Sequence, residues 1–220
     1  MIEISNTEIH GWEPAIRGMR NPMNSWGKSD SYHTYVVDDH DCEAPFEFFV
    51  GTEDLKLMKN LAKAGTDHRK YLRMIVVYAD INAPLYWWKE FDTYKIGTVA
   101  NSCSTMHKIH SRDLTIKDFS TDHLDVLGKR IIEMAVLAIN DARAAYLKSN
   151  CKADWYQMIQ LLPSSYNQKR TVMLNYEVLA NMYKSRKNHK LDEWKRFCNW
   201  IEDWLPYSSK LITGKDDGDV

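Results

Sequence analysis

Between Thr121 and Ser149, Leu124, Leu127, Ile131, Met134, Ala138, Ala142 and Ala145 recur at spacings of three and four, with no proline to interrupt them. That spacing predicts one continuous helix with one buried face. About 29 residues at 1.5 Å each make a rod of roughly 40 Å, long enough to serve as the scaffold of a whole domain. Lys129, Arg130, Glu133, Asp141 and Arg143 mark the expected wet side. Three shorter helices follow from the same rule. One is capped by Thr52, buries Leu55, Met58, Leu61 and Ala62, and ends at Gly65. Another runs over 153–161 and ends at Leu162-Pro163, and a last one buries Leu191, Trp194, Cys198, Ile201 and Leu205 before Pro206 stops it.

The β signal is thinner. Met74 to Tyr78 form a continuous apolar patch between charged residues, which predicts a strand at about 72–80. FEFFV at 46–50 reads as a short strand or a buried segment. Residues 1–50 are otherwise irregular, and GMRNPMNSWGKSDSY at 18–32 reads as a long loop because Gly, Asn, Ser and Pro favour turns. Arg17, Arg20 and Lys28 there either form a solvated basic surface or bring charge to a phosphate. SSYNQKR at 164–170 reads as a polar connection, and GKDDGDV at 214–220 as a disordered tail. A single domain over residues 1–213 is expected.

With 29 basic and 30 acidic residues the chain has no global field of the kind that holds a protein on nucleic acid or an anionic membrane, so neither partner is expected. Cys42, Cys103, Cys151 and Cys198 are far apart, which suggests neither a zinc site nor a disulfide framework. No segment reads as a membrane span or a leader, and a cytoplasmic protein is expected. His107 and His110 stand three apart but lack a carboxylate at ligand spacing, so no metal is assigned.

Chemistry concentrates between Asn82 and Lys108. Tyr86, Trp87, Trp88, Phe91 and Tyr94 offer faces on which a planar ligand would stack, or they are a buried core. Thr93, Lys95, Thr98, Asn101, Ser102, Ser104 and Thr105 add donors and acceptors. Cys103 among them is either an activated nucleophile, with Lys95 nearby, or an inert buried thiol. His68 precedes the expected strand, where a loop would present it. Further on, Asn175, Leu179, Met182 and Arg186 share one helical stripe that begins and ends polar. A guanidinium so placed either grips an anion or simply reaches solvent at the helix end.

In order and spacing, residues 54–205 resemble the flavin-dependent thymidylate synthases. His68 matches the family's loop His, NAPLYWWKEF matches the approach to its R-H-R-x7-S signature without a gap, Leu162-Pro163 matches its L-P boundary, and Asn175 and Arg186 match its downstream Asn and Arg. The signature departs: Thr93-Tyr94-Lys95 stand at R-H-R, and the motif Ser falls on Cys103, or on Ser104 after one insertion. Asn101, Ser102 and Ser104 resemble the N-E-x-x-S run without its Glu. The resemblance implies an α+β fold with a central, mostly antiparallel sheet flanked by long helices, and a homotetramer with flavin sites between subunits. It implies a one-carbon transfer from methylenetetrahydrofolate to C5 of dUMP, with hydride from FAD that NADPH reduces. Arg186, Asn101, Ser102 and Ser104 would then bind substrate, and His68, Thr93, Tyr94, Lys95 and Asn175 would bind cofactor. The alternative is a pyrimidine-nucleotide-binding relative that has lost the flavin motif and makes no dTMP.

Overall fold

A computed structural model describes residues 1–37 and 43–215 of the chain. Its strands are β1 (Glu3–His10), β2 (Tyr32–Val37), β3 (Glu43–Phe49), β4 (Val76–Pro84), β5 (Val99–Ser102) and β6 (Asn167–Asn175). Four of them build one antiparallel sheet in the order β1-β4-β6-β5, while β2 and β3 pair separately. The helices are α1 (Trp12–Arg20), α2 (Thr52–Lys63), α3 (Leu85–Phe91), α4 (Val126–Ser149), α5 (Lys152–Gln160), α6 (Tyr176–Arg186) and α7 (Asp192–Trp204). The architecture is α+β, as the resemblance implies. No described helix is long and apolar enough to cross a membrane.

Alternation along the central strands sorts the two faces of the sheet. Val77, Ala79, Ile81 and Ala83 of β4 and Val172 and Leu174 of β6 are buried, and they meet α3, α6 and α7 through Trp87, Trp88, Leu179, Met182, Trp194 and Phe197. The opposite face is polar. There Asp80 accepts from the Thr171 hydroxyl at 2.6 Å, from Lys169 Nζ at 2.9 Å and from Asn6 Nδ2 at 2.9 Å. A second core joins α4 and α5 through Ile132, Val136, Ile139, Ala142 and Met158, packed on Ile109, Leu114 and Phe119.

Several expectations need correction. The first 50 residues hold β1, α1, β2 and β3. β1 looks irregular in sequence because it is an edge strand with one apolar side, and Asn6, at φ 50°, opens a bulge between Ser5 and Glu8. The polar connection at 164–170 contains the start of β6, whose outer face is polar and whose buried Gln168 is satisfied by the Cys103 carbonyl at 2.8 Å. β4 begins at Val76, four residues later than expected, because Arg69–Met74 coil into a 3-10 turn that buries Tyr71 and Leu72. Lys215 ends the described tail, and the disorder expected over 216–220 lies outside the described residues.

Helix α4 carries the largest reversal. Leu127, Ile131 and Met134, expected inside, are 66%, 57% and 68% exposed. The chain has two apolar stripes about 100° apart, since Ile131 is followed at once by Ile132, and the fold buries the one made by Ile132, Val136, Ile139 and Ala142. The helix also starts later, at Val126, where Asp125 caps it by accepting from Gly128 N at 2.7 Å.

Candidate functional site

The aromatic run faces inward. Trp87, Trp88 and Phe91 are buried, and the Trp87 ring lies 4.9 Å from those of both Trp88 and Trp194. Their faces are spent on one another, so for Trp87, Trp88 and Phe91 the core alternative holds, while Tyr86 and Tyr94 are only partly buried. Beyond α3 the chain turns back on itself. Gly97, at φ 79°, lets the backbone pass so close to Asn175 that a Cβ there would sit 2.6 Å from its Nδ2. Asn175 ends β6 and caps α6, accepting from Val178 N at 2.9 Å. At the far end of that helix Arg186 Nε donates to the Tyr94 hydroxyl at 3.0 Å. Tyr94 and Arg186 thus meet at the C-terminal end of α6, while Asn175 with Gly97 stands at its N-terminal end, roughly 16 Å away at 1.5 Å per residue.

Arg186 does not face an open phosphate position. Its Nη1 donates to Glu90 Oε2 at 2.8 Å, and that same oxygen accepts from Trp194 Nε1 at 2.9 Å and lies 3.3 Å from His189 Nε2. His189 Nδ1 accepts from Leu191 N, which leaves the ring proton on Nε2. The guanidinium also lies 4.8 Å above the Trp194 ring. Sequence reasoning missed Glu90, His189 and Trp194 as members of this cluster. Glu90 stands four residues before Tyr94, and that spacing was the available signal.

Thr93 and Lys95 are exposed, and the Thr93 hydroxyl donates to the Glu90 carbonyl at 2.7 Å. His68 is exposed at the head of the 3-10 turn before β4. Its neighbour Arg69 reaches Glu177 and Asn181, which fixes that turn to α6. The buried Glu177 also pairs with Arg73, and its carboxyl is held below the ordinary range chiefly by that hydrogen bond.

Asn101 and Ser102 lie on β5, whose four residues are all exposed. They form the half of the strand farther from Gly97, and its four residues span roughly 10 Å at 3.3 Å per residue. The expected site residues therefore form two groups. Beyond Ser102, Cys103 and Ser104 line a cleft of about 470 Å³ on the polar face of the sheet, with Lys108, Arg112, Lys117, Tyr166 and Lys169. Cys103 is exposed, which removes the inert buried reading. Ser104 Oγ accepts from His107 N at 2.9 Å. Arg112 is committed to Asp118 and Lys169 to Asp80, whereas Lys108 and Lys117 pair with no carboxylate among the described residues. The Thr171 hydroxyl, then Lys169 and Asn6, pull the Asp80 carboxyl down to about 2. Burial, and then the Asp118 charge, push the Tyr166 hydroxyl up. The result is a cleft with two fixed ion pairs, the Glu3 carboxylate, two ammonium groups that pair with no carboxylate among the described residues, and hydroxyl donors; four cations against three carboxylates leave it slightly positive, suited to an anionic polar ligand of nucleotide size. The basic residues that follow Ser104 were legible as charge but not as a site.

A flavin nucleotide needs cations or clustered donors for its phosphates. At the matched positions the Thr93 hydroxyl is used by the backbone, Tyr94 receives Arg186, and Glu90 neutralises Arg186, leaving Lys95 as the uncommitted cation. These residues do not fit a phosphate held by guanidinium groups. Among the described residues no cluster of three His, Cys, Asp or Glu gathers that would hold a metal ion.

No known family model matches the chain, and no curated protein matches it. Solved structures do. The flavin-dependent thymidylate synthase ThyX from Helicobacter pylori, complexed with FAD and dUMP, superposes with a TM-score of 0.67 at 17% identity, covering 96% of this chain and 98% of that one. A second structure of the same enzyme, also with FAD and dUMP, gives a TM-score of 0.67 at 16% identity, covering 97% and 98%. At this identity the likeness speaks to architecture, and it spans nearly the whole of both chains: this protein has the fold of the flavin-dependent thymidylate synthases.

Proposed function

We propose that the chain binds a pyrimidine nucleotide of the dUMP type in the cleft beside Ser104 and Lys108, and that it does not carry out flavin-driven methylation. The observation that carries this reading is the contrast between the two groups of residues. Lys108 and Lys117 are free to meet a phosphate, while Arg186 is already neutralised by Glu90. The cleft is within the size range of small-ligand sites, and both Helicobacter pylori structures hold dUMP. Asn101 and Ser102, exposed on the adjoining strand, extend the polar surface toward the base. Calorimetry with dUMP tests the assignment. Wild-type protein is expected to give saturable binding that weakens at least tenfold in Lys108→Glu, and unchanged binding in that variant removes the cleft from the account.

A second reading, the complete enzyme with FAD, NADPH and methylenetetrahydrofolate, draws support from a likeness that runs through 96% of the chain to a protein holding FAD. Product formation from dUMP in the presence of all three would establish it. For assembly, the exposed Leu127–Ile131–Met134 stripe of α4 supports self-association, and we infer a homotetramer.

A further inference from the structure

The Arg186 corner is more than a failed cofactor site. Arg186 Nη1 and Trp194 Nε1, from one nine-residue stretch of the chain, both donate to a single carboxylate oxygen, Glu90 Oε2, at 2.8 and 2.9 Å, and His189 Nε2, between them in sequence, lies 3.3 Å from it. Glu90 is 34% exposed, so its carboxylate sits at the mouth of the cluster rather than beneath it. Two donors on one oxygen, one of them a guanidinium backed by the Trp194 ring, with an imidazole beside them, make an anion-binding constellation. We propose that this is a built anion site whose occupant is the protein's own Glu90 side chain, and that Glu90 excludes phosphate-bearing ligands from it.

The chemistry follows from charge and reach. A phosphate oxygen entering the position of Oε2 would gain the same two donors, but it would stand against the Glu90 carboxylate, and two anions sharing one cation repel. An intramolecular carboxylate also holds a large advantage in effective concentration over a free ligand. Removing the side chain at Cβ leaves the donors in place, since Trp194 is fixed in the core, Arg186 is held by Tyr94 and His189 by Leu191 N. The vacated space matches acetate, the group the substitution removes beyond Cβ, and lies open to the terminal phosphate of a larger molecule.

Binding of inorganic pyrophosphate to the full chain is the test, measured by calorimetry on wild type, Glu90→Ala, Glu90→Gln and Glu90→Ala/Arg186→Ala. Any affinity of the Lys108 cleft is common to all four proteins and cancels, so this comparison stands whether or not dUMP binds there. Glu90→Ala is expected to bind pyrophosphate at least tenfold more tightly than wild type, to lose the gain in the double variant, and to release pyrophosphate to acetate. Glu90→Gln, which keeps the shape and removes the charge, is expected to gain less. A folded Glu90→Ala with wild-type affinity, or a gain that survives loss of Arg186, overturns the proposal. Should Glu90→Ala fail to fold, a Glu90→Gln protein with no gain overturns it equally.

Discussion

Asp54 has no exposure, yet its carboxylate meets five donors: Arg20 Nε at 2.6 Å, the hydroxyls of Ser29 and Ser31 at 2.6 Å each, and the backbone N–H groups of Asp30 and Ser31. Burial raises its pKa, but the two hydroxyls and Arg20 together outweigh that, and the net shift is downward. Sequence reading treated 18–32 as a solvated loop and Arg20 as a surface cation. In the fold Arg20 is buried, and the loop is wound around one charge. Nothing local announces this, because Arg20 and Asp54 are 34 positions apart. Asp54→Asn leaves a buried guanidinium uncompensated and is expected to cost about 3 kcal/mol of stability at neutral pH. A carboxyl whose folded pKa is depressed stabilises fully above the ordinary aspartate range and loses that contribution as pH falls through the folded value. Urea denaturation of both proteins should therefore show a gap that closes at strongly acidic pH. A gap that persists unchanged there contradicts the assignment.

At the level of elements, what was legible depended on whether local pattern and tertiary setting agreed. The stripe Asn175, Leu179, Met182 and Arg186 is real: Leu179 and Met182 are fully buried, and its polar ends are the cap of α6 and the Tyr94 contact. The last helix likewise buries Trp194, Cys198 and Ile201 as its spacing required. Burial also lifts the Cys198 thiol to about 11, as expected of an unreactive core cysteine. β6 was lost because a central strand with one wet face begins Asn-Gln-Lys-Arg, whereas α4 was found but its buried face misassigned because two stripes satisfied one periodicity. The exposed stripe turns that error into a prediction about assembly. Ile131→Glu places a charge on a surface that is open in the single chain, so helix content should be unchanged while light scattering reports a smaller particle than wild type. An unaltered particle mass would place any subunit contact elsewhere.

The whole molecule divides its chemistry between the two ends of β5. Toward one end Gly97 meets Asn175 at the start of α6, and at the other end of that helix Arg186 meets Tyr94 and is closed by Glu90. At the other end of β5, Ser104 and Cys103 open onto a cleft with two free ammonium groups. The order of motifs along the sequence was enough to reach the fold, because turns, caps and apolar stripes are local. It was not enough to apportion the site, since pairing of Arg186 with Glu90 is a tertiary event that no spacing rule reports. A fold shared with a protein that holds FAD and dUMP does not assign either ligand to this chain, and the proposal for dUMP rests on the lining of the cleft. Equilibrium dialysis of the full chain against dUMP and FAD together, with each bound ligand counted per chain, tests this most directly. The account predicts close to one dUMP retained and no stoichiometric FAD, whereas retention of FAD at one per chain, or of neither ligand, would contradict it.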